Sequence, residues 1–214
     1  MGIFAFEKPA FAPPAWTEAI ARSWLHNGYD HWPVPTEITE TPNTFELSRS
    51  GKESSLLAAI VPDPRGPRTI CSSTLRAHAE PYRAMIELAR GAINRLKNLT
   101  AALMVSTFPI PQEIEKKIRD CISIFGRAIA SDREEQDRFC IDVIGDSLAL
   151  SDVVMAHLAE HRLRMRLQTA PGLDTRFGCC LQSPLDDRES EAYRSIFNAV
   201  RIDPEWHFIE AAES

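Results

Sequence analysis

The most specific chemical spacing in the chain is His157-Leu158-Ala159-Glu160-His161, an H-x-x-E-H pattern. On a helix, His157 and His161 stand one turn apart on one face, where two imidazoles can hold zinc beside Glu160 as general base. A hydrolytic zinc site needs a third protein ligand, and Glu205, Glu210 and Glu213 are the carboxylates near the end of the chain. The competing reading is a polar helix edge, since Arg162, Arg164 and Arg166 follow directly. No cofactor is expected on that reading, and a zinc-dependent hydrolase built on His157, Glu160 and His161 stands as the alternative.

Glu87, Arg90 and Asn94 are spaced three and four apart and share a helix face, forming a polar seam. The seam is either an intrahelical ion pair with an amide neighbour or a device that orients another element, because a buried Glu and Arg require partners. Cys179 and Cys180 lie in an apolar run, which reads as small core residues rather than redox groups. Glu205, Trp206, His207 and Glu210 form an aromatic and acidic cluster of the kind a strand delivers to a sugar site. Trp16, Trp24, Tyr29 and Trp32 offer rings that either stack on sugars or pack the N-terminal stretch onto helices. There is no nucleophile elbow, phosphate loop or dinucleotide fingerprint.

The elements that must position these groups follow from periodicity. Residues 1–77 are rich in Pro, Ser and Thr and carry short extended runs at Thr44–Leu47, Leu56–Val61 and Thr69–Leu75, with Asp63 to Arg68 as a turn. From Pro81 to Met104, Met85, Ile86, Ala89, Ile93, Leu96, Leu99 and Leu103 recur as one helical stripe. A second amphipathic helix starts at Pro111 and is expected to bury Ile114, Ile118, Ile122, Phe125 and Ile129. A third runs from a capping box at Ser131 to about Leu167, with Gly145 as a point of bending and Ile144, Leu148, Ser151, Met155 and Leu158 on one face. Beyond Pro171-Gly172, a strand at Arg176–Leu181, a helix at Asp186–Phe197 and a strand at Ala199–Asp203 form a β-α-β unit. The expected class is α+β, divided as residues 1–77, 78–170 and 171–214.

With 24 basic and 30 acidic residues the net charge is -6, which repels phosphate backbones and anionic lipid. Nucleic acid and membrane are therefore not expected partners. The longest strongly apolar run, Leu56–Val61, is far short of the roughly 20 residues that span a bilayer, and residues 1–16 show no basic stretch followed by a long apolar run, so no export signal is expected there. Five cysteines without a C-x-x-C pair suit a reducing compartment, so the expected location is cytoplasmic.

PYRAMIELARGAINRLKNL, residues 81–99, resembles the segment P-Y-x-x-x-x-E-L-A-R-G-x-x-N-R-x-(K/R)-N that precedes the barrel in a divergent branch of the endo-β-1,4-xylanase family, glycoside hydrolase family 10. RFGCCLQ (176–182) and FNAVRIDPEW (197–206) resemble the first barrel strand and the second strand of that branch. The likeness implies a β-rich N-terminal unit and helices feeding a (β/α)₈ barrel that is truncated soon after it starts. It also implies catalysis by two Glu on later strands, which lie outside this chain. Trp206 and Glu210 match the Trp and Glu of the family's W-x-x-x-E-P, with Ala211 in place of Pro, and are the substrate-binding residues the resemblance implies. RIDPEW lacks the Asn and Lys that hold the sugar in typical xylanases. The expected role is a non-catalytic accessory or scaffold region, with a polysaccharide or oligosaccharide, a second copy or a partner chain as partner. The C-terminal strands are the expected site of that association, and a protein-interaction module is a further alternative.

Overall fold

The computed structural model describes residues 2–28, 30–105, 108–169, 176–181 and 185–202. The fold is α+β, and the chain divides into two compact units, Met1–Glu160 and His161–Ser214.

The first unit opens with strand β1 (Gly2–Glu7), where Gly2, Phe4 and Phe6 face inward in strict alternation. Helix α1 (Pro14–Ala21) follows and buries Trp16 and Ile20, with Pro at its start, where a missing N–H costs nothing. The next strands are β2 (Trp24–Asn27), β3 (Glu37–Glu40), β4 (Thr44–Arg49), β5 (Ser55–Val61), β6 (Arg68–Cys71) and the short β7 (Tyr82–Arg83). One sheet has the order β3-β4-β1-β7, with β1 antiparallel to β4 from Gly2↔Arg49 to Glu7↔Thr44 and parallel to β7. The other has the order β2-β5-β6, antiparallel throughout. The expected turn between β5 and β6 is present: Gly66 takes φ +115° and Asp63 accepts from the Arg65 amide at 2.9 Å. The third extended run is shorter than expected, since β6 stops at Cys71 and Leu75 makes only a bridge to Ser55.

Three helices complete this unit: α2 (Ala84–Val105), α3 (Gln112–Ala130) and α4 (Arg133–Thr169), the last continuing into the second unit. The α2 stripe is buried as expected except for half-buried Leu99. The α3 stripe is corrected. Ile122 and Ile129 are exposed, and the packed face is completed by Cys121 and Ala128, whose small size lets α4 approach. Cys121 Sγ lies 3.4 Å from Ser147 Oγ, and Gln136 Nε2 donates to Ala128 O at 3.0 Å. The α4 face is corrected in part: Ile144 is buried as expected and Leu148 and Leu158 pack against the core, but the buried face extends through Phe139, Val143, Ser147, Leu150 and Val154, and Met155 is exposed. Its cap is Asp132, which accepts from the Glu135 amide at 3.0 Å, while Ser131 closes α3. The helix runs unbroken through Gly145. Strands and helices share one hydrophobic core, from Phe4 and Phe6 through Leu57 and Leu88 to Val143 and Val154.

The second unit holds β8 (Gly178–Leu181), α5 (Asp187–Ile196) and β9 (Ala199–Ile202), with the two strands parallel. A capping box starts α5: Glu189 N donates to Asp186 Oδ1 at 2.7 Å and Asp186 N to Glu189 Oε2 at 3.0 Å. Tyr193 donates its hydroxyl to Ala199 O, and Phe177 stacks on Phe197 at 5.1 Å between ring centroids. No helix among the described residues is long and apolar enough to cross a membrane.

Candidate functional site

The polar seam of α2 sits where that helix meets β6. Glu87 is 5% exposed and accepts from Arg90 NH1 at 2.9 Å; burial raises its carboxyl pKa, and the Arg90 charge offsets only part of that. Asn94 Nδ2 donates to Ser73 Oγ at 2.7 Å, so the seam contains an intrahelical pair and also a tie to the segment after β6. Between them, Gly91 lies against the β6 backbone. A Cβ there would stand 2.7 Å from Ser72 Cα and nearer still to the Cys71 carbonyl oxygen.

Two charged clasps join the sheets to α4. At its start, Arg133 reaches Glu7 at 3.2 Å, Arg83 donates to Gln136 Oε1 at 3.2 Å, and buried Asp137 accepts from the Phe11 amide at 3.0 Å. Burial raises the Asp137 pKa against the opposing pull of the Phe11, Ala12 and Ala10 amides and the Arg133 charge. Farther along, Asp152 accepts from Arg65 NH1 at 2.6 Å and from Arg68 NH2 at 2.9 Å. Arg65 also holds Asp63 at 2.8 Å. These cations keep both Asp63 and Asp152 below the usual carboxylate range.

Beside the second clasp lies a cleft of about 690 Å³. Trp16 from α1, Pro62 and Pro64 from the β5–β6 turn, Ile124 from α3 and Ile141 and Leu148 from α4 form apolar walls. Asp142 and Asp146, one turn apart on α4, are exposed carboxylates at its lining. Burial, and then the like charge of Asp142, raise the Asp146 pKa, with no cation among the influences on it. Asp63 also lines the cleft, but its charge is taken by Arg65. The local sequence signal of this place is the Asp142-x-x-x-Asp146 spacing around Gly145.

The H-x-x-E-H residues lie on the exposed length of α4: His157 and Glu160 are exposed and His161 is half-buried. Among the described residues no three His, Cys, Asp or Glu side chains converge as a metal site. Glu205, Trp206, His207, Glu210 and Glu213 lie outside the described residues, as does Tyr29. The other N-terminal aromatics divide: Trp16 is 5% exposed and packs into the core, Trp24 is half-buried, and Trp32 is 71% exposed. Cys179 and Cys180 are both exposed, which corrects their reading as core residues. Alternation sends them to opposite faces of a two-stranded sheet, and the helix that joins its strands, α5, buries no residue. Comparison with protein-family models, with curated proteins and with solved structures found no match.

Proposed function

We propose that the chain is a non-catalytic accessory and scaffold region of a xylanase-like protein, acting in a reducing, cytoplasmic setting, whose β8-α5-β9 unit is completed by further strands. The observation that carries this is exposure. Gly178, Cys179 and Cys180 of β8 and Val200 of β9 are exposed, and α5 buries no residue. Parallel strands are ordinarily covered on both faces, so an open pair of this kind has the character of an interaction surface. The occupant is a second copy or a partner chain, with a polysaccharide as the ligand of the completed assembly. The likeness of residues 81–99, 176–182 and 197–206 to the pre-barrel and first-strand segments of the xylanase family supports the lineage.

Hydrogen exchange by mass spectrometry on the monomer tests the reading. Residues 178–202 are expected to exchange much faster than residues 85–129, and to gain protection when self-association is driven by concentration or a partner chain is added. Equal protection in a protein that sediments as a monomer would overturn it. Incubation with xylan and aryl xylosides is expected to release no sugar; turnover abolished by a point substitution in this chain would refute the non-catalytic role.

A further inference from the structure

We propose that the cleft between α1, the β5–β6 turn, α3 and α4 binds a small organic ammonium ion with an apolar body. This goes beyond the scaffold reading and rests entirely on the first unit. The volume of about 690 Å³ lies within the range of small-molecule sites, roughly 300–1,000 Å³. Its walls are apolar, and a few polar groups converge on them, the arrangement that fixes a ligand's orientation while burial supplies affinity.

The charge of the site selects the class of ligand. Asp142 and Asp146 face the same side of α4, where like charges one turn apart destabilise a helix. Neither forms an ion pair with a described side chain, and the ionised form of Asp146 is disfavoured by burial and by Asp142. A cation between them relieves the repulsion, whereas an anion adds to it. The guanidinium groups beside the β5–β6 turn do not compete, since Arg65 is engaged by Asp63 and Asp152 and Arg68 by Asp152, and Arg138, one turn before Asp142 on α4, lies over the Phe139 ring. Gly145 belongs to the same wall, and a Cβ there would meet nothing within 4 Å, so this position leaves the space open. The apolar walls set the other half of the preference, since a bare metal cation or free ammonium gains nothing from Ile141, Ile124 and Leu148.

Calorimetric titration of the full chain with phenylbutylammonium, phenylbutanol and phenylbutyrate tests the assignment. The ammonium probe is expected to saturate at low salt and to weaken as salt is added. The alcohol is expected to bind about tenfold more weakly, and the carboxylate not measurably. Asp142→Asn combined with Asp146→Asn is expected to cost the ammonium about tenfold while leaving the alcohol unchanged. Gly145→Leu, which fills the cleft, is expected to abolish binding of both. Equal binding of the three probes, no saturation by the ammonium at millimolar concentration, or indifference of its affinity to the paired Asn substitutions would overturn the proposal. The Asn pair keeps the test decisive if the Leu variant fails to fold, because it changes charge with little change in volume. Failure here leaves the exchange pattern of residues 178–202 untouched, so the two proposals stand or fall separately.

Discussion

Substituting Gly91 by Ala isolates the contact that joins α2 to β6. In an exposed helix interior this change stabilises by about 1 kcal/mol, because glycine gives up more backbone entropy. At Gly91 the added methyl would stand 2.6 Å from Ser72 C and 2.7 Å from Ser72 Cα. Ordinary van der Waals separation needs about an ångström more, and the obstruction is main chain, which cannot rotate aside. The helix must therefore lift from the sheet along the row that buries Leu88, Ala92 and Leu96. Overpacking of this kind costs about 1–3 kcal/mol, with a backbone neighbour placing it at the upper end. Subtracting the propensity gain leaves a net loss of about 2 kcal/mol, or about 4–8 °C in Tm for a chain of this size. Gly126 supplies the control, since it is a helical glycine whose added Cβ would meet nothing within 4 Å. Thermal unfolding followed by circular dichroism should show Gly91→Ala melting lower and Gly126→Ala melting slightly higher than the parent. If Gly91→Ala melts at or above the parent, the close approach of α2 to β6 is refuted.

Burial raises the Glu87 carboxyl, so its ionised form costs stability above the ordinary Glu value of about 4.3. Glu87→Gln should therefore raise the urea midpoint at neutral pH, with the gain fading as acid protonates the parent; a lower midpoint at neutral pH would mean the Arg90 pair outweighs burial. Asp152 is depressed by Arg68, so its contribution is present above about 3.9 and lost on acidification through the lowered value. Asp152→Asn should accordingly lower Tm at neutral pH but not in strong acid, and a pH-independent difference would argue against the clasp. Under native conditions iodoacetamide should label Cys179 and Cys180 well before Cys121 and Cys140, the Cys140 thiol being pushed up to about 12 by burial; mass spectrometry of the labelled peptides decides it. At Gly178 an added Cβ would stand 2.6 Å from Ala199 C, so Gly178→Ala should speed exchange across residues 178–202 and leave residues 85–129 unaffected.

The sequence alone determined the elements whose pattern is local. The Met85-to-Leu103 stripe specifies α2 because one helix face repeats every three to four residues whatever lies opposite, and all of it but Leu99 is buried. The β8-α5-β9 order was legible for the same reason, with ends shifted only slightly. Tertiary structure decided everything that needs a partner. β1 is one such element, because its six residues find β4 only across a long intervening stretch, which local periodicity does not reveal. On α3, isoleucines occupy two adjoining stripes, and the choice fell to the stripe where Cys121 and Ala128 admit α4, leaving Ile122 and Ile129 in solvent. Trp16 and Trp32 are the same residue type in one N-terminal stretch, yet one fills the core and the other projects from it. The cleft is assembled from α1, a turn, α3 and α4, so its carboxylates were visible as letters but their common lining was not. Burial and convergence depend on the whole set of contacts around a side chain, and no segment of the chain contains that set.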